Sequence, residues 1–144
     1  MTTHIPLSEI ESRHQRLVRG MQTDGLDACL ISGITNTYYY TGSTQNGILL
    51  MFADGRHVWL VRKSLDRARR ESPLPNIMAM PSFKHLSTEL QGTGYRLSGP
   101  LGMEGDILPV QLLDRYRQAL PDADFRSAAT LFRRIRMRKS ILEQ

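Results

Sequence analysis

The chain begins with a helical period. Leu7, Ile10, His14, Leu17, Val18 and Met21 recur at three- and four-residue spacing and form one apolar stripe, with Arg13, Arg16 and Arg19 largely outside it. Ser8-Glu9-Ile10-Glu11 has the form of a capping box, in which the Ser8 hydroxyl and the Glu11 carboxylate satisfy each other's amides, and Asp24-Gly25 closes the helix. Ala28 to Ser32 is an apolar run of strand length and predicts the first central strand of an α/β domain. Gly47 to Ala53 is apolar at both parities, which predicts a strand covered on both faces. Asp54-Gly55 is a hairpin turn, and Arg56 to Arg62 alternates back as the antiparallel partner. Between the first two strands, Asn36-Thr37-Tyr38-Tyr39-Tyr40-Thr41-Gly42 is too polar and too short for a core helix and reads as an aromatic turn.

The second half alternates more evenly. Lys63 to Glu71 predicts a short charged helix ended by Ser72-Pro73, and Asn76 to Met80 a strand whose flanking prolines push it to a sheet edge. Phe83 to Leu90 fits one or two helical turns, Gly92 to Gly94 a loop, and Pro100 to Glu104 a strand. From Pro109 a helix carries Leu112, Leu113, Tyr116 and Leu120 on one face. Ala123 to Arg126 predicts a short edge-like strand, and Ser127 caps a last helix with Ala128, Leu131, Phe132 and Ile135 facing inward. The order implies an α/β fold: a mixed, mainly parallel sheet of five to six strands with one antiparallel hairpin and helices on both faces.

Composition narrows the class without naming a chemistry. At 144 residues with 40% apolar and 23% charged positions, one globular domain is expected, and the longest apolar run, Ile48 to Ala53, is far short of a membrane span. The opening Met-Thr-Thr-His-Ile-Pro has neither the basic nor the apolar region of a secretory signal, so a cytoplasmic protein is expected. Cys29, the single cysteine, lies among Ala28, Leu30 and Ile31 and reads as a buried strand residue. The net charge of +5 invites a nucleic-acid reading. Its distribution argues against one. The excess sits in Arg67, Arg69 and Arg70 on one helix and in Arg133, Arg134, Arg136, Arg138 and Lys139 near the carboxyl end, with no aromatic residues interleaved.

Catalytic patterns are missing. Gly92-Thr93-Gly94 lacks the third glycine and the following helix of a phosphate loop. His4, His14, His57 and His85 stand one per segment with no metal-ligand spacing between them. No serine occupies a nucleophile elbow, and Cys29 has no cationic neighbour to lower its pKa. Asp122 and Asp124 lie at a turn, where acids face water.

Several motifs nevertheless occur in a family's order. They are Arg16-Leu17, Met21, Gly25-Leu26-Asp27-Ala28, a strand ending in Ile31-Ser32, then Asn36 to Gly42, Asp54-Gly55, Leu60-Val61-Arg62, Arg67-Ala68 with Glu71, and Gly102-Met103-Glu104. In this the chain resembles the creatinase N-terminal domain of the creatinase, prolidase and aminopeptidase P family. The Asn36 to Gly42 segment is similar to that family's Asn-x-x-Tyr-Leu-Thr-Gly run. The stretch from Ile135 to Glu143 is similar to the hinge that opens the catalytic domain.

The resemblance implies a non-catalytic domain over residues 1–134 and a hinge over 135–144. It implies no catalytic residue, cofactor or metal ligand in this chain. Two divalent metal ions (Mn, Co or Zn) are expected in a catalytic domain beyond it, giving a metal-dependent Xaa-Pro peptidase-like parent. The implied partners are that catalytic domain, a second copy in a homodimer, and a small peptide substrate at the dimer's active site, with no nucleic acid and no membrane. The segment matching the family's active-site rim makes Asn36, Tyr38, Tyr39, Tyr40 and Gln45 the substrate-rim candidates, tyrosine offering a large apolar body with a hydroxyl. The competing role for any one tyrosine is to plug the end of the sheet. Ser43 stands where many relatives carry Phe or Trp, which leaves the substrate open. The alternatives are the same domain of a creatinase-like amidinohydrolase or lyase, and a standalone binding module using the basic carboxyl-terminal helix.

Overall fold

The computed structural model describes residues 4–80, 86 and 97–137. The loop expected at 92–94, the run from Arg138 to Glu143 and, apart from Leu86, the turns expected over 83–90 lie outside the described residues.

The chain opens with α1 (Leu7–Asp24), followed by β1 (Ala28–Ile31), α2 (Ile34–Thr41), β2 (Gly47–Phe52), β3 (His57–Val61), α3 (Leu65–Glu71) and β4 (Ile77–Ala79). Then come β5 (Pro100–Met103), α4 (Val110–Ala119), β6 (Asp124–Ser127) and α5 (Ala129–Met137). The six strands form one sheet in the order β4-β3-β2-β1-β5-β6. β2 runs antiparallel to both its neighbours, while β3 with β4, β1 with β5 and β5 with β6 are parallel. The expected mixed sheet and its hairpin are both present, and the two strands flagged as edge-like, β4 and β6, are the edges.

Strand alternation divides the core in two. Cys29, Ile31, Leu49, Met51, Trp59 and Val61 point to the face covered by α1, α2 and α5, where they meet Ile10, Leu17, Met21, Tyr40, Leu131 and Phe132. Ala28, Leu30, Ile48, Leu50, Val58 and Leu60 point to the other face and pack with Leu86, Leu101, Tyr116 and Leu120. Each buried leucine in such a core is worth about 2–5 kcal/mol against alanine. Gly102 makes the β1–β5 junction close: a Cβ there would lie 2.9 Å from both Ala128 Cβ and Leu26 Cδ1.

Three local expectations fail for identifiable reasons. The capping box does not form, because Pro6 takes the N-cap position and its carbonyl accepts from Glu9 N and Ile10 N, both at 3.1 Å. Ser8 therefore falls inside the first turn. Glu9 turns inward instead and faces Arg13 at 3.8 Å, both side chains buried. Arg13 is thus not outside the stripe as the spacing suggested, since α2 crosses that side of α1 and supplies polar partners for it. The third failure is α2 itself: the aromatic turn is an eight-residue helix, closed by Gly42 in the left-handed conformation at φ 81°, whose N–H donates to Tyr38 O at 2.8 Å.

Candidate functional site

The segment singled out by its tyrosines leaves the carboxyl end of β1 as α2, and residues 104–109 leave the carboxyl end of the neighbouring parallel strand β5. β1 leads on to β2 on one side of the sheet and β5 to β6 on the other, so these two strand ends form the topological switch point, the usual ligand position of an open α/β sheet. Glu104 fills it. Its carboxylate accepts from Ser32 N and Gly33 N through Oε1 and from Asn36 Nδ2 through Oε2, all at 2.8 Å, and the side chain is 1% exposed. The amides at the start of α2 lack helical partners, and an anion there is favoured by the helix dipole. Ser32 also hydrogen-bonds the hydroxyl of Tyr116, whose pKa is raised chiefly by burial, with Glu104's charge adding to the rise.

The five candidate residues are therefore in unlike surroundings. Asn36 is buried against Glu104. Tyr39 is buried, with Arg13 lying 4.3 Å over its ring and donating to its carbonyl at 2.9 Å, while Arg16 donates to its hydroxyl at 3.0 Å. Tyr40 is fully buried and packs edge-on to Tyr39 with ring centroids 4.8 Å apart. Burial pushes its hydroxyl pKa well above the ordinary tyrosine range, and that hydroxyl has no hydrogen-bond partner among the described residues. Tyr39 and Tyr40 thus lie in the core rather than at the surface. Tyr38, at 43%, is the exposed tyrosine of α2.

Gln45 belongs to a separate polar cluster at the other end of α2. Ser43 Oγ donates to Glu71 Oε1 at 2.6 Å, Gln45 Nε2 approaches the same oxygen at 3.4 Å, and Arg67 Nε donates to Oε2 at 3.2 Å. The Ser43 hydroxyl, more than any other group, holds the Glu71 carboxyl below the usual range. Nothing in the sequence paired Ser43 or Gln45 with Glu71, nor Asn36 with Glu104, because these contacts span 26 to 68 residues.

A further concavity of about 550 Å³ runs along α1 beside the β2–β3 turn, lined by Glu11, His14, Val18, Arg19, His57 and Leu74 among others. His14 and His57 meet edge-on there, ring centroids 5.2 Å apart. Desolvation lowers both pKa values, that of His14 to about 4, and His14 Nε2 donates to Tyr40 O at 2.7 Å. Burial also pushes the Cys29 thiol far above its usual range, as suits an inert core residue. Among the described residues no group of three or more His, Cys, Asp or Glu is arranged to hold a metal ion, and no helix is long and apolar enough to cross a membrane.

Of the six large apolar side chains left exposed among the described residues, Leu7 and Met137 lie on the first and last helices, and four belong to the segments that leave the ends of β1 and β5. Ile34 (71%) and Tyr38 stand one turn apart on α2, and Ile107 (54%) and Val110 (73%) follow β5. Exposed apolar groups that adjoin one another, unlike single scattered ones, mark a surface that a partner covers.

The family model of the creatinase/prolidase N-terminal domain matches residues 13–138. The chain belongs to that family. Among solved structures, this creatinase/prolidase-type domain is similar to the N-terminal domain of the cytoplasmic peptidase PepQ from Mycobacterium tuberculosis. The two share 27% identity at a TM-score of 0.73, covering 86% of this chain and 98% of that one. The Xaa-Pro dipeptidase from Bacillus anthracis (19% identity, TM-score 0.78) and the prolidase from Pyrococcus furiosus (20%, TM-score 0.74) share the fold over 93% and 90% of this chain. This chain spans 38% and 39% of their respective lengths. Comparison with curated proteins gives no match.

Proposed function

We propose that this chain is the non-catalytic N-terminal domain of a cytoplasmic Xaa-Pro peptidase-type hydrolase, in which it pairs subunits and shapes the rim of the substrate pocket. The exposed apolar face formed by Ile34, Tyr38, Ile107 and Val110 carries this reading, since four large apolar groups on the segments leaving two neighbouring strand ends suit a surface that is covered in the working assembly. Tyr38 is the rim residue on this reading. Its ring and hydroxyl stand in the open while Asn36, Tyr39 and Tyr40 hold α2 in place from within. Residues 135–144 serve as the hinge to a catalytic domain, where two divalent metal ions activate water and this domain supplies no ligand.

The test uses the full-length protein. It is expected to hydrolyse an Xaa-Pro dipeptide with Mn or Co present, while residues 1–144 alone do not. Ile34→Asp is expected to weaken subunit association at least about tenfold, as loss of a central interface anchor does, with secondary structure by circular dichroism unchanged because Ile34 is exposed within the domain. Cleavage of the dipeptide by the isolated chain would overturn the reading, and so would a full-length enzyme indifferent to Xaa-Pro bonds. Turnover of creatine in its place would assign the parent to the amidinohydrolases.

A further inference from the structure

We infer that Glu104 is a positioning residue that fastens the two halves of the exposed apolar face to each other, an inference that rests on that face being the partner surface proposed above. The face is assembled from segments far apart in sequence: Ile34 and Tyr38 come from α2, Ile107 and Val110 from the stretch after β5. Glu104 is bonded to both. Its carboxylate takes the amides of Ser32 and Gly33 and the side chain of Asn36 at the head of α2. Its main-chain carbonyl takes the amides of Ile107 and Leu108, at 3.1 and 2.8 Å.

Gly33 makes the join close. A Cβ at that position would lie 2.6 Å from Glu104 Oε2 and 2.5 Å from Ile107 Cδ1, so the absence of a side chain lets the carboxylate and the following loop seat against the start of the helix. The opposite end of α2 is held independently, by Arg13 on the Tyr39 carbonyl and His14 on the Tyr40 carbonyl. Removing the Glu104 carboxylate therefore frees one end of α2 and leaves the other tied. The helix tilts, and Ile34 and Tyr38 move away from Ile107 and Val110 while the core stays packed. Because the switch point is filled by the chain's own anion, the position where open α/β sheets usually receive a ligand here sets the angle of a helix.

The experiment compares Glu104→Ala and Glu104→Gln in the full-length protein, reading subunit Kd, KM and kcat for an Xaa-Pro dipeptide. In Glu104→Gln, Oε1 still accepts from Ser32 and Gly33, and Asn36, turned over, accepts from the new amide through its buried, unpartnered Oδ1. This variant is expected to stay within about twofold of the parent on all three readouts. Glu104→Ala is expected to raise Kd and KM about tenfold with kcat nearly unchanged. Formate at about 100 mM is expected to restore at least half of that loss, because the vacated site presents three N–H donors to a carboxylate. Should Glu104→Ala fail to fold, Gly33→Ala strains the same join with the carboxylate retained and is expected to raise KM and Kd about threefold.

Ile34→Asp separates the two levels. If it leaves Kd and KM untouched, the face is not the partner surface, and the proposed function fails with this inference. If it raises both while a folded Glu104→Ala (or Gly33→Ala) raises neither, the positioning role alone is overturned. A Glu104→Ala loss that falls equally on kcat and ignores formate also overturns it.

Discussion

α1 and α2 lie against each other on one face of the sheet, yet they are helices for opposite reasons. α1 has eighteen residues and buries Ile10, Leu17 and Met21 at regular spacing, so its own sequence supplies both the helix and the side that docks. α2 has eight residues, too few to be stable alone, and carries no comparable stripe. It persists because remote groups hold both its ends: Glu104 at the head, Arg13 and His14 on the last carbonyls. Burial tolerates substitution in proportion to volume, whereas directed bonds fail when one atom changes its proton or its geometry.

The sharpest way to break this contrast is acid. The folded His14 pKa lies near 4, below the ordinary 6.5, because burial disfavours the charged ring. Between those values the unfolded chain binds the extra proton and the folded one does not. Stability is therefore complete above about pH 6.5 and falls as pH drops toward 4, by roughly 3 kcal/mol for His14, with His57 acting in the same direction. Urea unfolding of the wild type at pH 7 and pH 4.5 measures the slope. His14→Gln, which keeps a donor for the Tyr40 carbonyl but cannot ionise, should flatten it. An unchanged slope in that variant would place the acid sensitivity elsewhere.

A matched pair of Gly→Ala substitutions sharpens the comparison at smaller amplitude. Gly42 closes α2 at φ 81°, where a Cβ is disfavoured, so Gly42→Ala should lower stability by about 1–2 kcal/mol in denaturant melts. Gly20 sits inside α1, and a Cβ there would meet the side chain of buried Leu131, its Cδ1 at 2.5 Å. The helix-propensity gain of about 1 kcal/mol and the cost of moving Leu131 nearly cancel, so Gly20→Ala should stay within about 1 kcal/mol of the wild type. Equal losses at the two positions would mean that α2 is as locally encoded as α1.

The same contrast explains what could be read from the chain before its structure. All six strands announce themselves through unbroken apolar runs or punctuation by Gly, Pro and Asp-Gly, because a strand's burial pattern is written in its own residues. The tyrosine segment was noticed as unusual, but its helix was not foreseen, since the carboxylate that caps it lies 68 residues beyond Asn36. Arg13 looked like a solvent-facing charge for the same reason: the ring and carbonyl that receive it belong to α2. Among the rim candidates, residue type alone did not separate exposed Tyr38 from its buried neighbours Tyr39 and Tyr40. Helical phase does, once α2 is known to be a helix.

Both margins of the sheet are poor templates for recruiting another strand. β4 offers three residues, and β6 carries the solvent-facing Asp124 and Arg126 locked to each other at 2.7 Å. A newly made copy crowded among its siblings thus exposes little backbone for them to zip onto.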